Sequence, residues 1–330
     1  GLNGFQELCD LDARVATFEA KLFSKAAKNT NRDLQTNEYN EDLDKTLRLF
    51  LARVSPFALL KPVHKVFEYL VRQFKIHERN VDDFMGCVLP FHSTKIFSRV
   101  LAICAIEDTR WRFLLRAQQA GAFIERSVLV TRCCDDLSLV SFFCDLAQTV
   151  ADGKHRCQTV VTFTTVLFIE VLQRCKRSPD ILKGFFNRVL PYITTALKSH
   201  AVQDFQMAGY MLVVSLCQSG TRLTPELYSY FVSTISVYAP QDKPEPAVRC
   251  LVHIYQSAAA QNVHVPMPAK AYSKLRAMEI KLVQVLKVVI ESGVNGDAFF
   301  SAFLNRLVPQ VAGDTTNALR MLCTLVNELP

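Results

Sequence analysis

Reactive side chains are plentiful in this 330-residue chain, but few stand at spacings that do chemistry. Eleven cysteines and seven histidines offer the thiolate and imidazole ligands that zinc takes in tetrahedral sets. Cys133-Cys134 has no second cysteine pair nearby to complete such a set, and Cys250 with His253 supplies only two ligands at helical spacing. Both read as packing residues. Glu41, Asp42 and Asp44 form an acidic cluster that suits a helix start, where carboxylates meet the positive end of the macrodipole, better than a metal site. His77 and His92, beside Glu78 and Ser93, read as neutral imidazoles bonding backbone groups at helix ends. A glycine-rich phosphate loop, His-Glu-x-x-His, Gly-x-Ser-x-Gly and paired Cys-x-x-Cys motifs are absent from the sequence. The expectation is a non-enzymatic chain with no catalytic residue, cofactor, metal site or small-molecule substrate.

What remains is electrostatic. At about 100° per residue, Lys61, Lys65, Arg72, Lys75 and Arg79, with Glu68, share one sector of a helix. Val63, Val66, Phe67, Leu70, Val71 and Phe74 make the opposite, apolar stripe. The basic row is a candidate interaction face for an acidic protein surface or for RNA phosphates, the latter with salt dependence and little base readout. Arg110, Arg112 and Arg116 form a second basic group. A net charge of 38 − 31 = +7 is mild, below the dense positive balance of a dedicated nucleic-acid domain.

The elements that position these residues read as helices throughout. Pro62 suits a first helical turn, Asn80 and Ser93 read as caps of the next two helices, and the three short amphipathic helices read as antiparallel neighbours. Before them, the spacing of Val15, Phe18, Leu22 and Ala26 predicts a helix over 13–28, residues 29–40 read as a loop, and a further helix follows Asn40. Later helices are expected over 136–150, 157–175, 270–291, 299–311 and 316–329, among others. Phe185-Phe-Asn-Arg-Val-Leu-Pro191 is echoed by Phe303-Leu-Asn-Arg-Leu-Val-Pro309. The echo is offset by 303 − 185 = 118 residues, three units of about 39, a period close to that of HEAT repeats. With 50% hydrophobic residues and a length beyond most single cores, the expected fold is all-α, a HEAT-like α-solenoid of antiparallel helix hairpins. The organisation expected is 1–53 N-terminal helices, 54–150 signature repeats and 151–330 continuing repeats. Cysteines on apolar stripes, no Asn-x-Ser/Thr sequon and no apolar run of bilayer length favour a reducing, intracellular setting with no membrane partner.

The order Ser55-Pro56-Phe57, Leu59-Leu60, Pro62, Lys65, Glu68-Tyr69-Leu70, Arg72, Phe74, Ile76-His77, Asn80, Leu89-Pro90, His92, Phe97 and Arg99 carries a family signature. It resembles the very large nucleolar HEAT-repeat protein of the small-subunit processome, named in fungi U-three small nucleolar RNA-associated protein ten. A second block, Leu129, Thr131, Cys133, Asp136-Leu137 and Phe142 to Leu146, is similar to the same family. Phe91 stands where the family pattern has Tyr, and Gln73 where it has a basic residue. Beyond Ala147 the likeness is architectural only. The resemblance implies an N-terminal piece of a scaffold in the nucleolus, working in pre-ribosomal RNA transcription, 18S rRNA processing and 40S subunit biogenesis. It further implies β-propeller and helical protein partners, and contact with the 5′ external transcribed spacer and the small nucleolar RNP. A HEAT-type transport or signalling adaptor, holding a peptide in its concave face, is the alternative.

Overall fold

The computed structural model describes residues 1–153, 158–240, 242–278, 280–311 and 317–328, and every regular element among them is helical. The chain divides into two compact units, Gly1–Leu167 and Phe168–Pro330.

The first unit opens with α1 (Leu2–Leu11), an element the sequence reading missed. The single helix expected over 13–28 is instead a 3-10 turn (Ala13–Phe18), a π turn (Glu19–Phe23) and α2 (Lys25–Asn29). Two side-chain acceptors break it up, Asp12 on the Arg14 N–H and Ser24 on the Ala27 N–H. In α3 (Asn37–Val54) the Thr36 hydroxyl accepts from the Tyr39 N–H, so the helix begins three residues before Asn40. Next come α4 (Lys61–Phe74), with Pro62 in its first turn, α5 (Ile76–Arg79) and α6 (Val81–Val88). Asn80 does stand before α6, but its side chain faces inward rather than capping. A 3-10 turn at Leu89–Phe91 leads to α7 (Lys95–Ile103), which starts after Thr94 and not Ser93. The unit continues with α8 (Leu115–Ala120), closed by left-handed Gly121, α9 (Arg126–Asp135) and α10 (Leu137–Asp152), capped by Asp136. The two units divide within α11 (Gln158–Cys175).

Packing in this unit follows the stripes. Val63, Val66, Phe67, Leu70 and Phe74 are buried, whereas Val71 is only half-buried. Phe67 meets Phe84 of α6 edge to face, with centroids 5.1 Å apart. α1 lies directly on α4, because Gly4 has no side chain: a Cβ there would stand 2.6 Å from the Pro62 carbonyl.

The second unit comprises α12 (Pro179–Lys198), α13 (Gln203–Gln218), α14 (Pro225–Tyr238), α15 (Glu245–Ala260), α16 (Ala269–Arg276), α17 (Ile280–Glu291), α18 (Asp297–Val311) and α19 (Asn317–Glu328). The helix expected over 270–291 is thus two, α16 and α17. α12 pairs with α13, α14 with α15 and α18 with α19; α13, α15, α17 and α19 pack on one another in turn, as do α12, α14 and α16. That is the stacking of HEAT-type hairpins, and the fold class is an all-α solenoid. The repeat period is written in hydrogen bonds. Cys250, Ser257 and Gln261 on or just after α15 donate to the carbonyls of Tyr210, Cys217 and Thr221, each 40 residues earlier. Arg306 donates to Met267, 39 residues earlier. The echoed prolines, Pro191 and Pro309, sit inside α12 and α18, equivalent helices three hairpins apart.

Truncating the buried stripe of α4 should be felt where its half-buried neighbour is not. Phe67→Ala is expected to cost about 3–5 kcal/mol in denaturant unfolding, and Val71→Ala under about 1 kcal/mol. Equal costs would mean that the stripe is not the packing face.

Candidate interaction face

The face opposite the α4 stripe is basic, but it is not bare. Lys65 Nζ lies 2.9 Å from Glu7 Oε1 on α1, and Arg72 Nη2 lies 3.2 Å from Glu68 Oε1 one turn earlier. Lys75 takes a left-handed conformation at φ 50° and ends α4, so the row bends there and Arg79 belongs to α5. Asp33 joins the two across the bend, its carboxylate oxygens 2.7 Å from Lys75 Nζ and 2.5 Å from Arg79 Nη2. The Lys75 hydrogen bond holds the Asp33 carboxyl below the usual carboxylate range. Lys61 is exposed. Five cations against Glu7, Asp33 and Glu68 leave 5 − 3 = +2 on the face.

Neutral side chains of α4 tie down the same N-terminal segment. Tyr69 donates its hydroxyl to the Leu22 carbonyl at 2.8 Å, and Gln73 Nε2 donates to the carbonyls of Ala27 and Thr30 at 3.0 and 2.9 Å. Gln73 therefore has a structural task in this chain.

In the second basic group, Arg110 pairs with Asp82 at 3.2 Å and lies over the Phe142 ring, 5.1 Å from its centroid. Arg112 and Arg116 are exposed, with no acidic partner among the described residues. The structure does not join them to the α4 row by any contact described. Trp111, fully buried, donates its indole N–H to Asp82 at 2.8 Å.

The remaining reactive side chains are dispersed. Cys250 is buried with its thiol on the Tyr210 carbonyl, and burial lowers the His253 pKa. Burial pushes the thiols of Cys104, Cys144 and Cys217 up to about 12, leaving little thiolate at neutral pH. Cys157 lies outside the described residues. His92 Nδ1 is 2.8 Å from the Ile124 carbonyl, and His77 Nε2 is 3.2 Å from Glu78 Oε1. Among the described residues no three His, Cys, Asp or Glu side chains gather to hold a metal, and no helix is long and apolar enough to cross a membrane.

Known proteins match both units' sequence. A family profile described as U3 small nucleolar RNA-associated protein 10 matches residues 185–307. Human HEAT repeat-containing protein 1 is 33% identical over 245 residues, 72% of this chain. The chain belongs to this family. Two fungal members named U3 small nucleolar RNA-associated protein 10, from Yarrowia lipolytica and Schizosaccharomyces pombe, are 27% and 28% identical over 256 and 255 residues, 78% and 77% of the chain. The chain spans 11% of the human relative and 15% of each fungal one. The profile match falls in the region where the sequence reading found only architectural likeness, so the family relation extends well past Ala147.

Asp33 is the hinge of the compensation, and two outcomes follow. Asp33→Asn should steepen the salt dependence of binding to heparin, used as a polyanion probe, because Lys75 and Arg79 lose their counter-charge. Since the Asp33 carboxyl is lowered in the fold from 3.8, the pairing contributes above that value and is lost as pH falls through the lowered one. Hydrogen exchange of residues 25–34 should accelerate only below about pH 4 in the wild type.

Proposed function

We propose that this chain is a non-enzymatic docking segment of a scaffold in the small-subunit processome, acting in the nucleolus on early pre-ribosomal RNA transcription, 18S rRNA processing and 40S biogenesis. The observation that carries it is family membership combined with an all-helical array that gathers no catalytic or metal-binding cluster among its described residues. Its partners are protein subunits of the processome, β-propellers and helical proteins among them, with the 5′ external transcribed spacer and the small nucleolar RNP reached through backbone phosphates. The contact face is the α4 row, Lys61, Lys65, Arg72, Lys75 and Arg79. Lys61 and Arg72 carry most of its free charge, since Lys65, Lys75 and Arg79 lean on acids from the N-terminal segment. A residual +2 suits an acidic protein surface or a short phosphate track, and such contacts act through association rate and salt dependence. No observation favours the transport or signalling adaptor.

Charge reversal at the two least compensated positions tests this reading. Lys61→Glu with Arg72→Glu in the full-length protein should leave the repeats' stability within about 1 kcal/mol, as exposed charges do. Recovery of processome subunits and pre-ribosomal RNA in affinity purification should fall several-fold and fall further with salt. Wild-type recovery at every salt concentration would remove the row from the contact surface.

A further inference from the structure

A second surface of the first unit has features that the basic row does not share. Between the end of α1, the 3-10 turn after it, α3 and α10 lies an open groove of about 690 Å³, within the range of clefts that hold ligands. Its floor and walls are apolar: Leu11 and Leu49, 53% and 50% exposed, with Phe18, Pro56 and Phe57. Two leucines left this open on neighbouring elements form a patch rather than scattered surface residues. The groove has one polar end, made by Asp12, Arg14 and Arg53.

That end is short of negative charge. Arg14 Nε sits 2.7 Å from Asp12 Oδ1, while Arg53 reaches the other oxygen of the same carboxylate only at 3.6 Å, outside hydrogen-bond range. Arg53 Nη1 is buried with no hydrogen-bond acceptor. Two guanidiniums thus share one carboxylate, and a side chain 13% exposed keeps a charged N–H unsatisfied. Burial, followed by repulsion from Arg14, lowers the Arg53 pKa despite Asp12. The missing complement is a second carboxylate, placed within reach of leucine-sized side chains.

We infer that this groove is a docking site for a partner-protein segment that presents apolar side chains at helical spacing together with an aspartate or glutamate. The apolar residues fill the trough over Leu11 and Leu49, and the carboxylate bridges Arg14 and Arg53, completing the pairing that Asp12 alone leaves unfinished. The site is separate from the α4 row and selects the opposite sign of partner charge from a lysine-rich segment. The assignment stands whether or not the chain works in the processome.

A fluorescein-labelled helical peptide carrying leucines at successive helical turns and a run of aspartates at one end probes the site by fluorescence anisotropy with the intact chain. Saturable binding is expected, weakened at least tenfold by Leu49→Glu and by Arg14→Glu, and weakened likewise when asparagine replaces aspartate in the peptide. Leu49 and Arg14 are exposed, and circular dichroism confirms that each variant folds. Absence of binding, equal binding of the asparagine peptide, or insensitivity to Leu49→Glu overturns the proposal. So does a dimer in light scattering that Leu49→Glu dissociates, which would make a second copy of this chain the occupant. Unchanged peptide binding by Lys61→Glu with Arg72→Glu separates this site from the basic row.

Discussion

The side chain of Arg32 holds the first unit's N-terminal segment in place. It is 3% exposed, and a cation buried this far persists only if its donors are met. They are. Nη1 donates to the Phe74 carbonyl at 3.0 Å and to Asn80 Oδ1 at 2.7 Å, Nε to Asn40 Oδ1 at 3.2 Å, and Nη2 to the Asp44 carboxylate. Asn80 Nδ2 in turn donates to Asp44 Oδ1 at 2.7 Å, and Asn40 Nδ2 to the Arg32 carbonyl at 3.2 Å. One guanidinium therefore joins α3, the last residue of α4 and the residue before α6. Removing a partner from such a network typically costs about 3–5 kcal/mol, far more than the exposed ion pairs around it. The next residue is Asp33. Its position over Lys75 and Arg79, and so the compensation of the basic row, follows from where Arg32 is anchored.

The second unit is held by a different rule. Each hairpin buries one stripe against its neighbour, and the side chains of one repeat satisfy carbonyls of the repeat before it. Gln261 on the Thr221 carbonyl and Arg306 on the Met267 carbonyl are such bonds, and at helix ends they meet acceptors that the helix itself leaves unpaired. Close approach helps: a Cβ at Gly209 would stand 3.1 Å from the Leu197 backbone nitrogen, so α13 lies directly on α12. Stability in such an array is a sum of nearest-neighbour terms, which lets the same unit extend through a protein much longer than this chain.

Wherever local chemistry decides the outcome, the sequence was readable. The α4 stripe, Pro62 in a first turn, the caps Asp136 and Thr224, and the three-unit echo all rest on contacts within a few residues or on exact repetition. The N-terminal region was opaque for the converse reason. Val15, Phe18, Leu22 and Ala26 are spaced as a helix would space them, but Asp12 and Ser24 divert the backbone N–H groups that a continuous helix needs. Arg32 lies in a polar stretch with no periodicity, and a buried arginine leaves no pattern in sequence because its partners stand 8 to 48 residues away. The basic row was legible as a set of positions but not as an electrostatic surface, because its acids are 58 and 42 residues distant. A turn at left-handed Lys75 has no signal either, since that conformation favours glycine or asparagine.

Lysine-directed cross-linking with mass spectrometry, on the processome purified at native salt through the full-length protein, addresses the α4 row directly. The account predicts cross-links from Lys61 and Lys65 to partner subunits, with Lys75 shielded by Asp33. Cross-links from these lysines confined to the N-terminal segment of their own chain, with partner contacts falling only on other repeats, would contradict it.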